Sequence, residues 1–296
     1  MTVGVLLMAY GTPGAPEQIL PYYTDIRRGR PPTPDQLADL SRRYAAIGGL
    51  SPLAAITSAQ RDGLQAALDA AEPARFRVEI GLKHAAPRIE DGVAALAGTE
   101  RIVGLVLAPH YSPMSVGQYH ARAAAVAARY DGIDSWARLP AYVEFLAAEV
   151  TRRRATLPAN TKVLFTAHSL PARLTTGDPY PAELRATAAA VAAAAGLAPW
   201  SGWSAAWQSA GRTAEPWLGP DVLAVIDDLS RSEAADGLLV CPCGFVADHL
   251  EVLYDLDVQA RDRAEAAGLA FARTASLNAD PTVLAALAEL VLDTGS

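Results

Sequence analysis

Short apolar runs recur along this chain, each ending abruptly in glycine, proline or a polar cluster, and longer stretches rich in Ala, Leu and Arg lie between them. The runs Val3–Met8, Phe76–Leu82, Ile102–Ala108, Lys162–Phe165, Trp203–Trp207, Leu238–Cys241 and Leu269–Thr274 are dominated by apolar and β-branched residues and predict strands. The stretches Ser58–Ala71, Val116–Arg129, Tyr142–Arg154, Pro181–Ala195 and Asp221–Ser230 carry apolar residues at helical spacing, as does the closing Pro281–Leu292. Strand alternating with helix predicts an α/β fold of parallel sheets flanked by helices.

The layout repeats. Strands of the first half run into Tyr10-Gly11-Thr12-Pro13, Lys83-His84 and Pro109-His110-Tyr111-Ser112; those of the second run into His168-Ser169, Gln208-Ser209 and the loop Cys241–Phe245. We expect two lobes, 1–128 and 129–276, each a small parallel sheet, with the crossing near Tyr130–Pro140 and the C-terminal helix (277–296) packing back on the first. Ligands of open parallel sheets bind beyond the carboxyl ends of the strands, so two such edges facing each other enclose a cleft.

Composition narrows what the cleft holds. At 296 residues, 51% hydrophobic and 19% charged, the chain reads as an ordinary soluble globular protein, with room for one large domain or two smaller ones. No apolar run is as long as a membrane span, and MTVGVLLMAYGTP lacks a basic leader and breaks at Gly11 and Pro13, so the expected location is cytoplasmic. A net charge of -7, with basic residues dispersed apart from Arg152–Arg154, argues against nucleic acid and for a small molecule. Cys241 and Cys243 stand one residue apart, too close for an ordinary disulfide and too few for a four-thiolate cluster. They read as strand-end thiols in a reducing compartment, and no iron–sulfur cluster is expected. Neither GxGxxG nor a P-loop follows any strand, which removes the nucleotide-binding enzymes.

The chemistry concentrates in two loops. KVLFTAHSLP delivers His168 and Ser169 from a strand, and LLVCPCGFVADHLEVLYDLD delivers His249, Glu251 and Asp255 from a strand into a helix. An imidazole titrates near neutral pH and ligates divalent iron, and a carboxylate takes a proton or holds a cation, so the pair predicts proton-transfer or metal chemistry. On its residues alone, His168 also fits a strand-end histidine capping a helix begun by Ser169 and Pro171, and Glu251 fits an exposed helix carboxylate. The apolar run around Glu251 favours the buried reading. His249 reads as structural, bonding backbone at the helix start, and His120 as a surface residue. His84, Lys83 and His110 sit at strand ends, where satisfied burial and a role in the cleft remain equal alternatives.

The segments LLMAYGTP (6–13), YYTDIRRGRPP (22–32), RRYAAIGGLSPLAAIT (42–57), GLKHAAPRIED (81–91), LAPHYSPMSVGQY (107–119), FTAHSLP (165–171), WQSAGRTAEPWLGPDV (207–222) and CPCGFVADHLEVLYDLD together resemble the ferrochelatase family, in its order and nearly end to end. The resemblance implies a chelatase-like fold of two Rossmann-like lobes around a porphyrin cleft, and insertion of Fe2+ as a substrate with loss of two protons, without a prosthetic group. MAYGTP with Tyr10, the length and the lack of a C-terminal extension resemble the soluble monomeric Gram-positive enzymes acting on coproporphyrin III; protoporphyrin IX is the alternative substrate. A cobalt chelatase is a competitor within the fold, and a cytosolic tetrapyrrole or haem carrier is one from a different class. Transient contact with neighbouring haem-pathway enzymes is also implied.

By the same resemblance, His168 and Glu251 are the catalytic pair and iron ligands, with Asp255 an outer ligand. In relatives, the row continued by Asp255 often holds a third carboxylate, on a helix widened to π geometry. Here that position is Gln259, which puts an outer metal site beside Arg43 in question. Tyr10 is implied on the opposite porphyrin face; Ile26, Arg27 and Arg28 cover the cleft; Arg43, Ser51, Thr57 and Tyr119 are implied in binding propionates. Guanidinium groups suit a tetracarboxylate ligand.

Overall fold

The computed structural model describes residues 2–295 apart from residues 200 and 212. Strand β1 (Val3–Ala9) leads through a 3-10 turn at Pro16–Gln18 to helices α1 (Ile19–Ile26), α2 (Pro34–Ala46) and α3 (Leu53–Ala71). Then come β2 (Phe76–Leu82), α4 (Ile89–Ala95), β3 (Ile102–Val106), α5 (Val116–Ala124) and β4 (Tyr130–Ile133). Helix α6 (Pro140–Arg154) crosses to β5 (Thr161–His168), α7 (Tyr180–Ala194), β6 (Trp203–Gln208), α8 (Val222–Ser232) and β7 (Gly237–Cys241). Helix α9 (Leu250–Tyr254) continues into a π-helical stretch, Asp255–Ala260, and α10 (Arg261–Ala266); β8 (Ala270–Arg273) and α11 (Pro281–Gly295) close the described chain. Local chemistry sets several boundaries. Thr33 and Gln36 form a reciprocal capping box ahead of Pro34 at the start of α2, and the Asp221 carboxylate accepts from the Leu223 N–H at the start of α8.

Two four-stranded sheets result, ordered β2-β1-β3-β4 and β6-β5-β7-β8, with every pair parallel. The order reverses between β1 and β3, and again between β5 and β7. Loops leaving such a switch point splay apart and leave a crevice. The fold is the α/β arrangement of two helix-flanked parallel sheets expected from the pattern.

Alternate residues of each strand serve different cores, as period two requires. Val3, Val5 and Leu7 of β1, Val163, Phe165 and Ala167 of β5, and Leu239 and Cys241 of β7 enter one shared core with residues of α3, α6, α7 and α11. Leu6 and Met8 face an outer core with α4 and α5; Leu164, Leu238 and Val240 face another with α8, the π-helical stretch and α10. A single middle layer thus binds the two sheets together. Helix α11 packs on α3, where a Cβ on Gly63 would come within 2.5 Å of Leu284 Cδ1.

The stretch read as the crossing departs from expectation. Residues Tyr130–Ile133 form a fourth strand of the first sheet, and α5 stops at Ala124 rather than continuing to Arg129. Short, polar YDGI carries no strand alternation; it is placed by long-range fit. Tyr130 lies over Gly104, where a Cβ would collide with the phenol oxygen. The reading of His120 as a surface residue is corrected by the same strand: its Nδ1 meets Tyr130 Oη at 2.5 Å, its Nε2 meets the Ile133 carbonyl at 3.1 Å, and its side chain is 12% exposed.

Candidate functional site

His168 is the last residue of β5, and Glu251 sits in the first turn of α9, which the Cys241–His249 loop carries across from neighbouring β7. The loop approaches closely at Gly244: its N–H donates to the Thr166 carbonyl at 2.9 Å, and a Cβ there would come within 2.3 Å of Ala167 Cβ. Only glycine fits that contact. Tyr142 Oη donates to the Cys243 carbonyl at 2.7 Å, pinning the loop from α6.

The result is a tight constellation. His168 Nε2 lies 3.5 Å from Glu251 Oε1, and His249 Nε2 lies 3.7 Å from Glu251 Oε2. The Nδ1–H of His168 donates to the Ser169 carbonyl at 2.5 Å, which leaves Nε2 as the titrating nitrogen. Tyr180 Oη donates to the His168 carbonyl at 3.1 Å. Asp255, one step further along the helix, accepts from Ser209 Oγ at 2.5 Å and lies 3.8 Å from Arg43 Nη1. Arg43 also donates to Asp39 at 3.1 Å and stacks over Tyr254 at 5.1 Å. The i→i+5 bonding of the π-helical stretch widens the turn, so positions four apart drift less around the axis than in an α-helix.

Electrostatics separates the roles. Burial would lower the His168 imidazole, but the Glu251 carboxylate outweighs it and raises it to about 9. Burial opposes the charge on Glu251, yet His168 and then His249 hold it well below the usual carboxylate range. The resting pair is therefore imidazolium and carboxylate, with 34% and 39% of these side chains open to solvent. Asp255 moves the other way: burial and then the Glu251 charge raise it to about 6, against the opposing pull of Ser209, Arg43 and His168. Neighbouring carboxyls pushed apart in this way acquire different proton roles.

The first sheet supplies another wall. Tyr10 follows β1 and is 43% exposed; desolvation and then the Glu251 charge raise its phenol. Gly11 beside it has φ +88, and a Cβ there would meet Ala85 at 2.8 Å. The Tyr10 ring lies 4.5 Å from the His84 ring. His84 Nδ1 is 2.7 Å from Asp25 Oδ2, and Arg88 donates to both Asp25 oxygens at 3.1 Å, so α1 is tied to the end of β2. Ile26 ends α1, and half-buried Arg27 and exposed Arg28 form the turn after it, Arg27 over the Tyr23 ring at 5.6 Å. Lys83 Nζ lies 5.0 Å above the Tyr119 ring and donates to Gln118 at 2.8 Å; burial, then the charges of Arg122 and Arg28, lower its ammonium to about 8.

The structure thus brings His168, Glu251, Asp255 and Arg43 together, and sets Tyr10, Arg27, Arg28 and Lys83 on the first-sheet side. Ser51, Thr57 and Tyr119 are only 8%, 3% and 5% exposed; Ser51 Oγ accepts from the Leu53 N–H at 3.3 Å, opening α3. His110 is fully enclosed, bonded to Thr187 at 3.0 Å and lowered by burial to about 3, so it stays neutral. Both cysteines are buried in the shared core, where burial raises the Cys241 thiol to about 12 and raises Cys243 as well, which takes them off any metal route. The structural role expected of His249 is only half of what it does, and Ser209 carries no expected role. His249 does bond backbone, at 2.9 Å to the Ala247 carbonyl, but its other nitrogen faces Glu251. Its signal was local: an extended residue just before a helix converges on the side chain two positions later. Ser209 adopts φ +60 to reach Asp255, and local sequence carries no sign of that turn.

The family model described as Ferrochelatase matches residues 2–294. The coproporphyrin III ferrochelatase of Geobacillus kaustophilus is 42% identical over 304 residues, spanning 98% of this chain and 95% of that protein. The coproporphyrin III ferrochelatase of Listeria innocua is also 42% identical over 304 residues, spanning 98% and 97%. Among solved structures, CbiX, the terminal enzyme for biosynthesis of siroheme in denitrifying bacteria, superposes with a TM-score of 0.58 at 16% identity over 98% of both chains, a likeness of fold.

Proposed function

This chain belongs to the ferrochelatase family, and from that premise we propose that it inserts Fe2+ into coproporphyrin III, releasing the two pyrrole N–H protons as the metal takes their place. The observation that carries the reading is the His168–Glu251 pair, at 3.5 Å on the carboxyl edge of the second sheet. His168 holds a proton on Nε2 because Glu251 is charged beside it. A divalent cation that draws the Glu251 carboxylate removes that cause, so the imidazole releases its proton to solvent and presents a free nitrogen. Nε2 then accepts the two pyrrole protons in turn, passing the first to solvent before it takes the second, while Glu251 and Asp255 supply oxygen donors suited to Fe2+. The Nδ1–H bond to Ser169 keeps the ring oriented throughout.

Coproporphyrin carries four carboxylates, and Arg27, Arg28 and Lys83 supply cations on the first-sheet side. Tyr10 takes the porphyrin face opposite His168. The same reading includes a cytoplasmic monomer meeting neighbouring haem-pathway enzymes transiently. Supporting the monomer, the exposed large apolar residues among the described ones, Tyr10, Leu20, Leu50 and Val126, are few; no described helix is long and apolar enough to cross a membrane.

Anaerobic iron insertion by the purified protein tests the proposal, comparing coproporphyrin III with protoporphyrin IX and wild type with His168→Ala. Turnover of coproporphyrin III that is lost in the variant supports it. Preference for protoporphyrin IX overturns the substrate, and tight tetrapyrrole binding without metalation in either protein leaves a carrier.

A further inference from the structure

Asn278, in the connection between β8 and α11, contacts the catalytic loop at three points. Its N–H donates to the Val246 carbonyl at 2.8 Å, its Oδ1 accepts from the Asp248 N–H at 2.9 Å, and its Nδ2 donates to Asp248 Oδ2 at 3.0 Å. The other Asp248 oxygen accepts from Ser276 Oγ at 2.8 Å and Arg273 Nη1 at 3.1 Å. Both ends of Val246–Asp248 are thus held from one side, immediately before His249 turns extended and α9 begins with Glu251 following. Asn278 is itself held from the first-sheet side: fully buried Gln60 of α3 donates through Nε2 to its carbonyl at 2.8 Å. Asn278 has φ +47, a left-handed conformation that asparagine tolerates better than most residues. Its backbone and side chain can therefore face the loop together.

We infer that Asn278 is a positioning residue for metalation: it fixes the Val246–Asp248 segment so that His249 and Glu251 keep their register, and through Gln60 it ties that register to α3. The inference rests on the proposed chelatase reading. Asn278 touches no reacting atom and acts only through Asp248 and the backbone of the loop. Displacement of a catalytic group by about 1 Å costs roughly 100-fold in rate, so loss of this clamp lowers kcat while leaving the porphyrin-binding walls in place.

The test uses the full chain with Asn278→Gly, which keeps the left-handed backbone and removes the amide, and Asn278→Asp, which faces the Asp248 carboxylate with another. Expected in both is a fall in kcat of about 10- to 100-fold with KM for coproporphyrin III within about twofold and unaltered folding by circular dichroism. The double exchange Asn278→Asp with Asp248→Asn restores every donor to an acceptor, since the new amide at 248 donates across while its oxygen still accepts from Ser276 and Arg273; kcat recovers. The nitrogen resonances of the His249 imidazole in the apo protein, at one pH, shift in Asn278→Asp and return in the double exchange. Folded variants with wild-type kcat and unmoved His249 resonances overturn the inference. A wild type that binds porphyrin but never metalates it overturns the functional reading instead, and the His249 resonances still decide whether Asn278 positions the loop.

Discussion

Replacing Glu251 with glutamine isolates the electrostatic core of the site. The substitution keeps shape and removes the charge 3.5 Å from His168 Nε2. At an effective dielectric of about 20, unit charges about 3.5 Å apart attract by roughly 5 kcal/mol. Both side chains are partly open to solvent, and screening reduces that to about 2 kcal/mol, equivalent to about 1.5 pH units. His168 titrates at about 9 with Glu251 present, so in Glu251→Gln it titrates at least about 1.5 pH units lower. Burial, which pulls in the same direction, is then opposed only by the Ser169 carbonyl and Asp255. The assay is an NMR titration of the imidazole protons; with five histidines in the chain, His168→Ala assigns the signal. A shift smaller than about 0.5 pH unit would refute the claim that Glu251 holds the proton on His168. Stability carries the same sign. His168 binds its proton more tightly folded than unfolded, so its contribution is complete below its ordinary 6.5 and fades as pH rises through about 9. Urea midpoints of the wild type should fall across that window relative to Glu251→Gln.

Ser209→Ala and Arg43→Leu each remove a group that lowers Asp255, so its carboxyl should titrate above about 6 in both, read by carbon-detected NMR; an unchanged titration shows that Ser209 and Arg43 do not set it. Tyr142→Phe leaves the buried Cys243 carbonyl without its 2.7 Å donor and should cost about 1–3 kcal/mol in urea unfolding, and a loss well under that range shows the loop relaxing to another partner. Arg27→Ala combined with Arg28→Ala should raise KM for coproporphyrin III several-fold with kcat retained, most at low ionic strength; an unchanged KM removes the turn after α1 from propionate binding.

The strand-to-loop punctuation was legible because it is local. Buried parallel strands must be apolar on both faces, so Val3–Met8 and Leu238–Cys241 announce themselves, and the first polar residue after each marks the edge where ligands bind. That ground marks His168 as a candidate; the pairing with Glu251, ten residues beyond its strand, was implied only by the resemblance. The features that escaped depend on contacts between distant segments. Strand β4 brings Tyr130 over Gly104, and it is β4 that supplies both partners of the largely enclosed His120. The shared core escaped as well: α3, α6, α7 and α11 each read as amphipathic, but no periodicity says that their apolar faces meet one another between the sheets. The clamp from Asn278 spans 30 residues to Asp248 and 218 to Gln60, beyond the reach of any local pattern.

Proton inventory and metal charge meet at Glu251. Each of its oxygens faces an imidazole, so its charge is shared between His168 and His249 before any metal arrives. That charge also raises Asp255, its neighbour one turn away, to about 6. A cation drawn to Glu251 therefore acts on both neighbours: His168 gives up its proton more readily, and Asp255 ionises more readily. Under the proposed function, both responses prepare ligands and bases as the metal comes in. In a row of three carboxylates, a further charge would raise Asp255 more; Gln259 supplies no such charge. Arg43, 3.8 Å from Asp255, pulls it back toward ionisation. With Gln259 in that place, Glu251 and Asp255 are the coupled carboxyls through which the proposed site responds to a cation.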